Sequence, residues 1–561
     1  MVQRRMNVQF LALPLLLLIA AWLQPKHELP WPAFHSDLCA AAGLTMAWLS
    51  WLRQRGAGGA IEVPRLALAI LVVAMVPLLQ AGAGLIHYAG DALMAALYLL
   101  GFGFAVLLGA QLGAHPSIAE RHWHRMTAAV LLACLLCVGM AGAQWWGLDL
   151  PGTWLLRMTQ YSRPFANLAQ PNLLASLLVL GLIAALALRQ SRHIGWTCLA
   201  LCTACLVSGV AMTGSRVARV ELLVLAGWLL LMRSRTGLRA GRFELIGLSG
   251  LGFAMLCLWP LLAQAPRLGR AVDTAPLMLA GVRGLHWQAM FDAIQRSPWF
   301  GYGWNQVAVA QSRVALDHPA SHEFIEHSHN LPIDLLVWNG APLGGLLIAG
   351  LGLWLWRQWR ACRSPGAALL LGAVLTLLTH AMTEYPLEYF FFLLPLGLMM
   401  GGLEAVAPVG SPQPLPRWAI LSAMVPSIGL LVAVALEYPN HERAHRAMRE
   451  TLSAGQPWET APPAAARPMR LLNQLEVLPT WMSAMPQAPL SNGELEELKR
   501  ATERFGYAPL LLQRARALCL SGDAEAAAAS LALLCRLHGP KDCQAAITPF
   551  KLGVSPCRSA G

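Results

Sequence analysis

The chain is 561 residues long, 56% hydrophobic and only 12% charged, with a mean hydropathy of +0.51. That balance excludes a soluble globular enzyme and describes a polytopic membrane protein. The net charge of +12 does not point to nucleic acid, because the arginines lie mostly in short loops between apolar runs, where the positive-inside rule puts them.

Arg4 and Arg5 precede the first apolar run, Phe10 to Leu23, which lacks a convincing cleavage site and reads as an uncleaved first span. Runs follow at about 38–52, 64–86, 92–114, 127–146, 172–188, 194–212, 217–232 and 243–263, then at 331–356, 366–382, 389–403 and 418–436. Each approaches the length a bilayer requires. The expected fold is therefore all-α and polytopic, with about thirteen transmembrane helices, a long periplasmic loop and a small helical periplasmic C-terminal domain. In chain order this gives spans one to nine in 1–263, the loop in 264–330, spans ten to thirteen in 331–437 and the tail in 438–561.

Placing the N-terminus in the cytoplasm puts Arg53, Arg55, Arg121, Arg125, Arg189, Arg192, Arg233, Arg235, Arg239, Arg242, Arg357, Arg360 and Arg363 on one side. The opposite loops are poor in Lys and Arg, so they face the periplasm. Those loops are 147–171, the turn 213–216, the interval 264–330 and everything after about Glu437.

The interval before Leu331 is longer than a connector needs, which marks a functional loop. Within it, Arg283 to Arg296 reads as an amphipathic helix with Leu285, Met290, Phe291 and Ile294 on one side, suited to the bilayer surface. Pro298 ends it and Gly301-Tyr302-Gly303 makes a turn. In the tail, 510–521 and 523–537 form a helical hairpin around Gly522, similar to one tetratricopeptide unit. Cys134 and Cys137 lie in a Leu/Ala/Val run and read as helix packing, whereas Cys519, Cys535, Cys543 and Cys557 form an even set compatible with two disulfides outside the cytoplasm.

Polar residues gather at the periplasmic ends of the spans. Arg163, Asn167, Gln170 and Asn172 feed the sixth span through Pro171; Thr213-Gly214-Ser215-Arg216 opens the eighth, with Arg219 and Glu221 inside it; His380, Glu384, Tyr385 and Tyr389 lie between the eleventh and twelfth. The densest cluster, Glu326-His327-Ser328-His329-Asn330-Leu331-Pro332-Ile333-Asp334, runs into the tenth span with Pro332 in its first turn. A helix starting there directs its dipole and unpaired N–H groups at a phosphate-sized anion. Arg219 alone is explained by snorkelling. Arg216 stands against the charge bias beside a Gly-Ser turn, which favours function. The spacing of His327 and His329 suits neither one helical face nor the helix-borne zinc motif, so no metal is called for. Ser328 and Asn330 are capping residues for the helix that presents His329.

Arg163…Asn167…Gln170-Pro171-Asn172, Thr213-Gly214-Ser215-Arg216, Trp287…Pro298…Gly301-Tyr302-Gly303, His327-Ser328-His329-Asn330-Leu331-Pro332…Trp338-Asn339-Gly340 and Glu384-Tyr385-Pro386-Leu387-Glu388-Tyr389 together resemble the O-antigen ligase and polymerase superfamily. Within it the chain looks most like the bacterial protein O-oligosaccharyltransferases that glycosylate pilins. The resemblance implies an inner-membrane enzyme that moves a glycan from a polyprenyl-diphosphate donor to a periplasmic acceptor protein, with neither metal nor cofactor and no nucleotide sugar. Arg216 is then the first choice to stabilise the leaving diphosphate. Arg163 and Arg283 are second choices, and Gln170, Asn172, Arg219, Tyr385 and Tyr389 are further substrate contacts. By the same resemblance His329 is the candidate general base for the acceptor hydroxyl or the acceptor's orienting partner, with His327 as runner-up, and the reaction inverts the anomeric carbon. An O-antigen ligase or polymerase keeps this chemistry with another acceptor. A transporter or flippase is disfavoured, because the polar groups lie at one face instead of the midplane.

Overall fold

The computed structural model describes residues 12–55, 59–114, 116–148, 154–158, 163–263, 280–453, 470–483 and 486–551. Arg4, Arg5, Phe10 and Cys557 lie outside the described residues. Every expected span coincides with helix. These are α1 (Ala12–Leu23), α2 (Phe34–Arg55), α3 with α4 (Arg65–Val73 and Val76–Gly82), α5 (Ala89–Gly113), α6 (Pro116–Trp146), α7 (Pro171–Gln190), α8 (Trp196–Thr213), α9 (Arg216–Thr236) and α10 (Arg242–Ala263). The loop holds α11 (Ala280–Arg296) and α12 (Val307–Val314), and is followed by α13 (Leu331–Ala361), α14 (Pro365–Ala381), α15 (Phe390–Val406) and α16 (Arg417–Ser453). The tail adds α17 (Asn473–Ser483), α18 (Asn492–Arg504), α19 (Ala508–Leu520), α20 (Ala524–Leu537) and α21 (Pro540–Lys551).

Among the described residues, eight helices are long and apolar enough to cross a membrane, and α1, α14 and α15 are shorter apolar helices. The second and eighth expected spans correspond to α2 and α9, which have the length, at 22 and 21 residues, but have no stretch as apolar as those eight. The protein is thus a helical multi-pass membrane protein. Its only described strands are β1 (Ile61–Val63) and β2 (Gln413–Leu415), an antiparallel pair with Ile61 opposite Leu415.

The chain divides into two compact units. The first comprises Met1–Val73, Tyr98–Ala275 and Gly352–Ile428. At its centre is α7, buried from Leu173 through Ala185 and packed on α6, α8, α9 and α14. From Leu177 to Leu188 the sequence of α7 is apolar on every face, and a helix stretch with no polar side is enclosed. Cys134 and Cys137 are buried in α6, and Cys134 Sγ donates to Leu177 O at 3.1 Å, which is the packing role expected of them. Pro171 opens α7 where its missing N–H costs nothing.

The second unit comprises Ala74–Leu97, Pro276–Leu351 and Gly429–Gly561. Here loop and tail fold together. One core joins Tyr88 to Trp481, Leu498, Phe505 and Leu510, and another joins Ala315 to Leu511, Leu534 and Leu537. The hairpin forms as read: α19 packs on α20, Gly522 turns between them with φ 84°, and Asp523 caps α20 by accepting from Ala526 N at 3.0 Å. A disulfide joins Cys535 to Cys543. One expectation fails on α11. Met290 is fully buried whereas Phe291 is 50% exposed, because adjacent residues diverge by about 100° around a helix. The inner face is His286, Ala289, Met290 and Ala293.

Candidate active site

In the first unit the site is built on a helix-to-helix turn. Gly214 ends α8 in the left-handed conformation, φ 60°, which only a residue without Cβ adopts at little cost. Ser215 then caps α9, its hydroxyl accepting from Ala218 N at 3.3 Å. Arg216 is therefore the first residue of α9 and is exposed. Arg163 comes to the same turn, donating from Nη1 to Gly214 O at 3.2 Å. Burial, and then the neighbouring Arg216, hold the Arg163 guanidinium below its ordinary pKa, with Glu384 opposing. Two guanidinium groups thus share one helix N-terminus.

Behind the turn lies a buried polar chain. Asn172 Nδ2 donates to Glu384 Oε1 at 3.1 Å. The Ser176 hydroxyl is 2.5 Å from Glu221 Oε1 and 2.6 Å from His380 Nδ1, and all three side chains are fully enclosed. This network ties the starts of α7 and α9 to the end of α14. Gln170 precedes α7 in an extended conformation without capping it. Tyr385 and Tyr389 stack with centroids 6.0 Å apart. Arg219, one turn beyond Arg216, is exposed. Asn167 is structural: it donates to Leu23 O and Trp154 O and accepts from Leu156 N.

In the second unit the histidine cluster forms a tight turn. Asn330 caps α13 by accepting from Ile333 N at 3.2 Å, and Asp334 reaches back to accept from Ser328 N at 2.9 Å. Ser328 donates to Asn330 O at 3.1 Å, so Asn330 caps the helix as expected, whereas the Ser328 hydroxyl braces the turn and caps nothing. His329 has φ 59°, a left-handed backbone uncommon outside glycine and enriched where structure is held for function. From α11, Trp287 Nε1 donates to Ser328 O at 2.9 Å. The buried His286 feels Glu323, His329 and Arg283, and burial first of all lowers its pKa. Burial, then His329 and Arg504, push His327 down to about 3.

The tail supplies the anchor. Arg504, at the end of α18, grips Asp91 with two hydrogen bonds of 2.7 and 3.2 Å and donates to Glu326 at 3.0 Å. Its guanidinium lies 4.6 Å above the Phe505 ring. Next to it Glu503 accepts from Arg313 at 3.0 Å and pairs with His87 at 3.0 Å. Phe324 stacks edge-on with Tyr507, centroids 5.5 Å apart. The segment entering the histidine turn is thus held by α18 and the residues after it.

The glycine motifs around α13 have a mechanical explanation. Gly340 breaks the helix with φ 70°, and its backbone meets the 298–303 turn. Ala341 N donates to Pro298 O at 2.7 Å, Tyr302 N to Val337 O at 2.8 Å and Gly303 N to Trp338 O at 3.1 Å. A Cβ on Gly340 would lie 2.5 Å from the Trp299 carbonyl carbon. Gln80 completes the joint, donating to Trp338 O at 3.0 Å and accepting from Trp304 N at 2.9 Å.

The structure therefore brings Arg163 to the Arg216 turn and links Asn172 to Glu384. It gathers Arg283 with His327 and His329 in the other unit. Reading the sequence for function missed His286, Ser176 and Arg504. His286 carried a weak signal, one turn from Arg283 on the buried face of α11. Arg504 carried none, being 178 residues from Glu326 and 413 from Asp91.

Arginines at one helix N-terminus and imidazoles beside another are groups that can bind an anion and move a proton, the equipment of a transferase. Residues 201–348 match the family described as O-antigen ligase, 164–188 that described as protein glycosylation ligase, and 368–549 that described as virulence factor membrane-bound polymerase, C-terminal. The chain is 30% identical over 548 residues to a general O-oligosaccharyltransferase of Acinetobacter baylyi, covering 95% of this chain and 93% of that protein. It is 27% identical over 240 residues, 43% of each chain, to a ComP-specific O-oligosaccharyltransferase of the same organism. The chain belongs to the O-oligosaccharyltransferase family, within the O-antigen ligase group.

Proposed function

We propose that this enzyme transfers a glycan en bloc from a polyprenyl-diphosphate carrier to serine or threonine hydroxyls of exported proteins such as pilins, at the periplasmic face of the bacterial inner membrane. The observation that carries the reading is the pairing of Arg163 with Arg216 at the capped start of α9. Permanent positive charge, bidentate geometry and free N–H groups at one point suit diphosphate oxygens. The Cys535–Cys543 disulfide supports an oxidising compartment for the tail.

In this reading the acceptor oxygen attacks the anomeric carbon while the bond to the diphosphate oxygen breaks. The bonding electrons leave with the polyprenyl diphosphate, whose growing charge Arg216 and Arg163 neutralise. The hydroxyl proton passes to His329, and the anomeric configuration inverts. His327 keeps a supporting role. Arg283, Arg219, Gln170, Asn172, Tyr385 and Tyr389 contact donor or acceptor.

A cell assay tests the acceptor. The chain is expressed with a lipid-linked glycan pathway, a periplasmic pilin and intact lipid A-core. Glycosylated pilin is expected; sugar on lipid A-core alone would make the protein an O-antigen ligase.

A further inference from the structure

Helix α13 is too long for one crossing. Its 31 residues run about 46 Å at 1.5 Å per residue, against a hydrocarbon core of about 30 Å. Its surroundings change at the Gly340 break. Ile333, Asp334, Val337 and Asn339 are buried within the protein, whereas Ala341 and Pro342 are exposed and Leu346 and Leu353 are 66% and 46% exposed. From Ala341 to Ala361 the helix covers roughly 30 Å, one crossing. Its far end carries exposed Trp356 and Trp359 among the basic residues, with the Arg360 guanidinium 5.2 Å above the Trp356 ring. Aromatic and basic residues in that combination mark a membrane boundary.

The near end has a counterpart. Trp299 and Phe300, 71% and 72% exposed, project from the turn that packs on Gly340. A second marker agrees: Gln80, which bonds to Trp338 O, lies two residues before the end of the apolar helix pair Arg65–Gly82.

We propose that Trp299 and Phe300 sit in the headgroup–acyl boundary of the membrane, so that the bilayer surface is level with Gly340. The segment Leu331–Asn339 then stands clear of the hydrocarbon. The His327–Asn330 turn lies about 14 Å along the helix from that surface, beyond a headgroup layer about 6 Å thick. That height is one a folded protein can reach, and it is not the membrane boundary that the sequence suggests for the turn.

The test uses the full chain in liposomes of phosphatidylethanolamine and phosphatidylglycerol, doped with a phospholipid bearing a diazirine high on its acyl chain. After irradiation, adducts are mapped by peptide mass spectrometry. Labelling of Trp299–Phe300 is expected at a level comparable with Leu346, and about tenfold lower on His327–Asn330, since interfacial side chains enter only about 5–10 Å. Trp299–Phe300 left unlabelled while Leu346 reacts would assign the pair to a protein partner and overturn the proposal. Labelling of His327–Asn330 as strong as that of Leu346 would return the bilayer surface to the start of α13. The readout involves no glycan transfer, so it stands or falls apart from the enzymatic assignment.

Discussion

His327 and His329 are two positions apart yet differ in setting. His327 is held beside Arg504, and burial, His329 and Arg504 push it down to about 3, so it is neutral throughout the physiological range. The sign of its effect on stability follows. Its folded pKa lies below the ordinary 6.5, so on acidification the unfolded chain takes up the proton first. The contribution is full above about pH 6.5 and drains as pH falls toward about 3. Thermal unfolding in detergent should show a midpoint that drops between about pH 7 and about pH 5, and His327→Gln should flatten that drop. An unchanged slope in the variant would assign the acid sensitivity elsewhere.

At Arg216 the distinction is geometric. Lysine keeps the charge but not the two-pronged contact, and charge-assisted hydrogen bonds contribute about 1.5–3 kcal/mol each. Arg216→Lys should therefore lower kcat/KM for the lipid-linked donor about 10- to 100-fold with unchanged thermal stability, as that side chain is exposed. Arg216→Gln should lose more. Equal activity in Arg216→Lys would leave the site needing charge alone.

Among the elements, α18 has a role its sequence does not advertise. Arg504 pairs with Asp91, which is only 8% exposed. Arg504→Gln leaves that carboxylate without its partner, a loss of about 3–5 kcal/mol, read as a lower unfolding midpoint. Combining it with Asp91→Asn should recover part of the loss, while Glu326 remains untethered and transfer stays low. The break in α13 is a second such case. Gly340→Ala would place a Cβ against the Trp299 carbonyl at φ 70°, costing about 1–3 kcal/mol. Gly345→Ala, with nothing within 4 Å of its Cβ, is the neutral control.

These elements show what a sequence read alone can carry. The spans were legible because bilayer length and apolar runs are properties of contiguous residues. The turn at Gly214-Ser215, the cap at Asn330 and the hairpin at Gly522 were legible for the same reason: each is settled within a few positions. The Arg504 clamp, the Ser176–Glu221–His380 contact and the Gly340 joint were not, since each depends on residues brought together over long stretches of chain. Phe291 was misplaced because a list of apolar residues was taken for a face.

On the scale of the molecule, each unit presents one set of groups on well-ordered helix ends. The first has permanent cations at a capped helix start, and the second has imidazoles on a turn held by loop and tail. Long, enclosed helices such as α7 give these ends fixed positions, as a site working by electrostatic preorganisation requires. The tail is accordingly part of the second unit's core, and its removal should abolish the ordered turn as well as any acceptor contact it makes.

The central claim is glycan transfer to a protein hydroxyl with His329 as the base. Its most direct measurement is single-turnover transfer by the purified full chain in proteoliposomes, from a polyprenyl-diphosphate-linked glycan to a purified pilin, comparing wild type with His329→Ala. The account predicts glycosylated pilin for the wild type and a rate lower by about 10²–10⁴-fold for His329→Ala, with the two proteins unfolding at the same temperature. Wild-type rates in His329→Ala, or no glycan on the pilin while lipid A-core is modified, would contradict it.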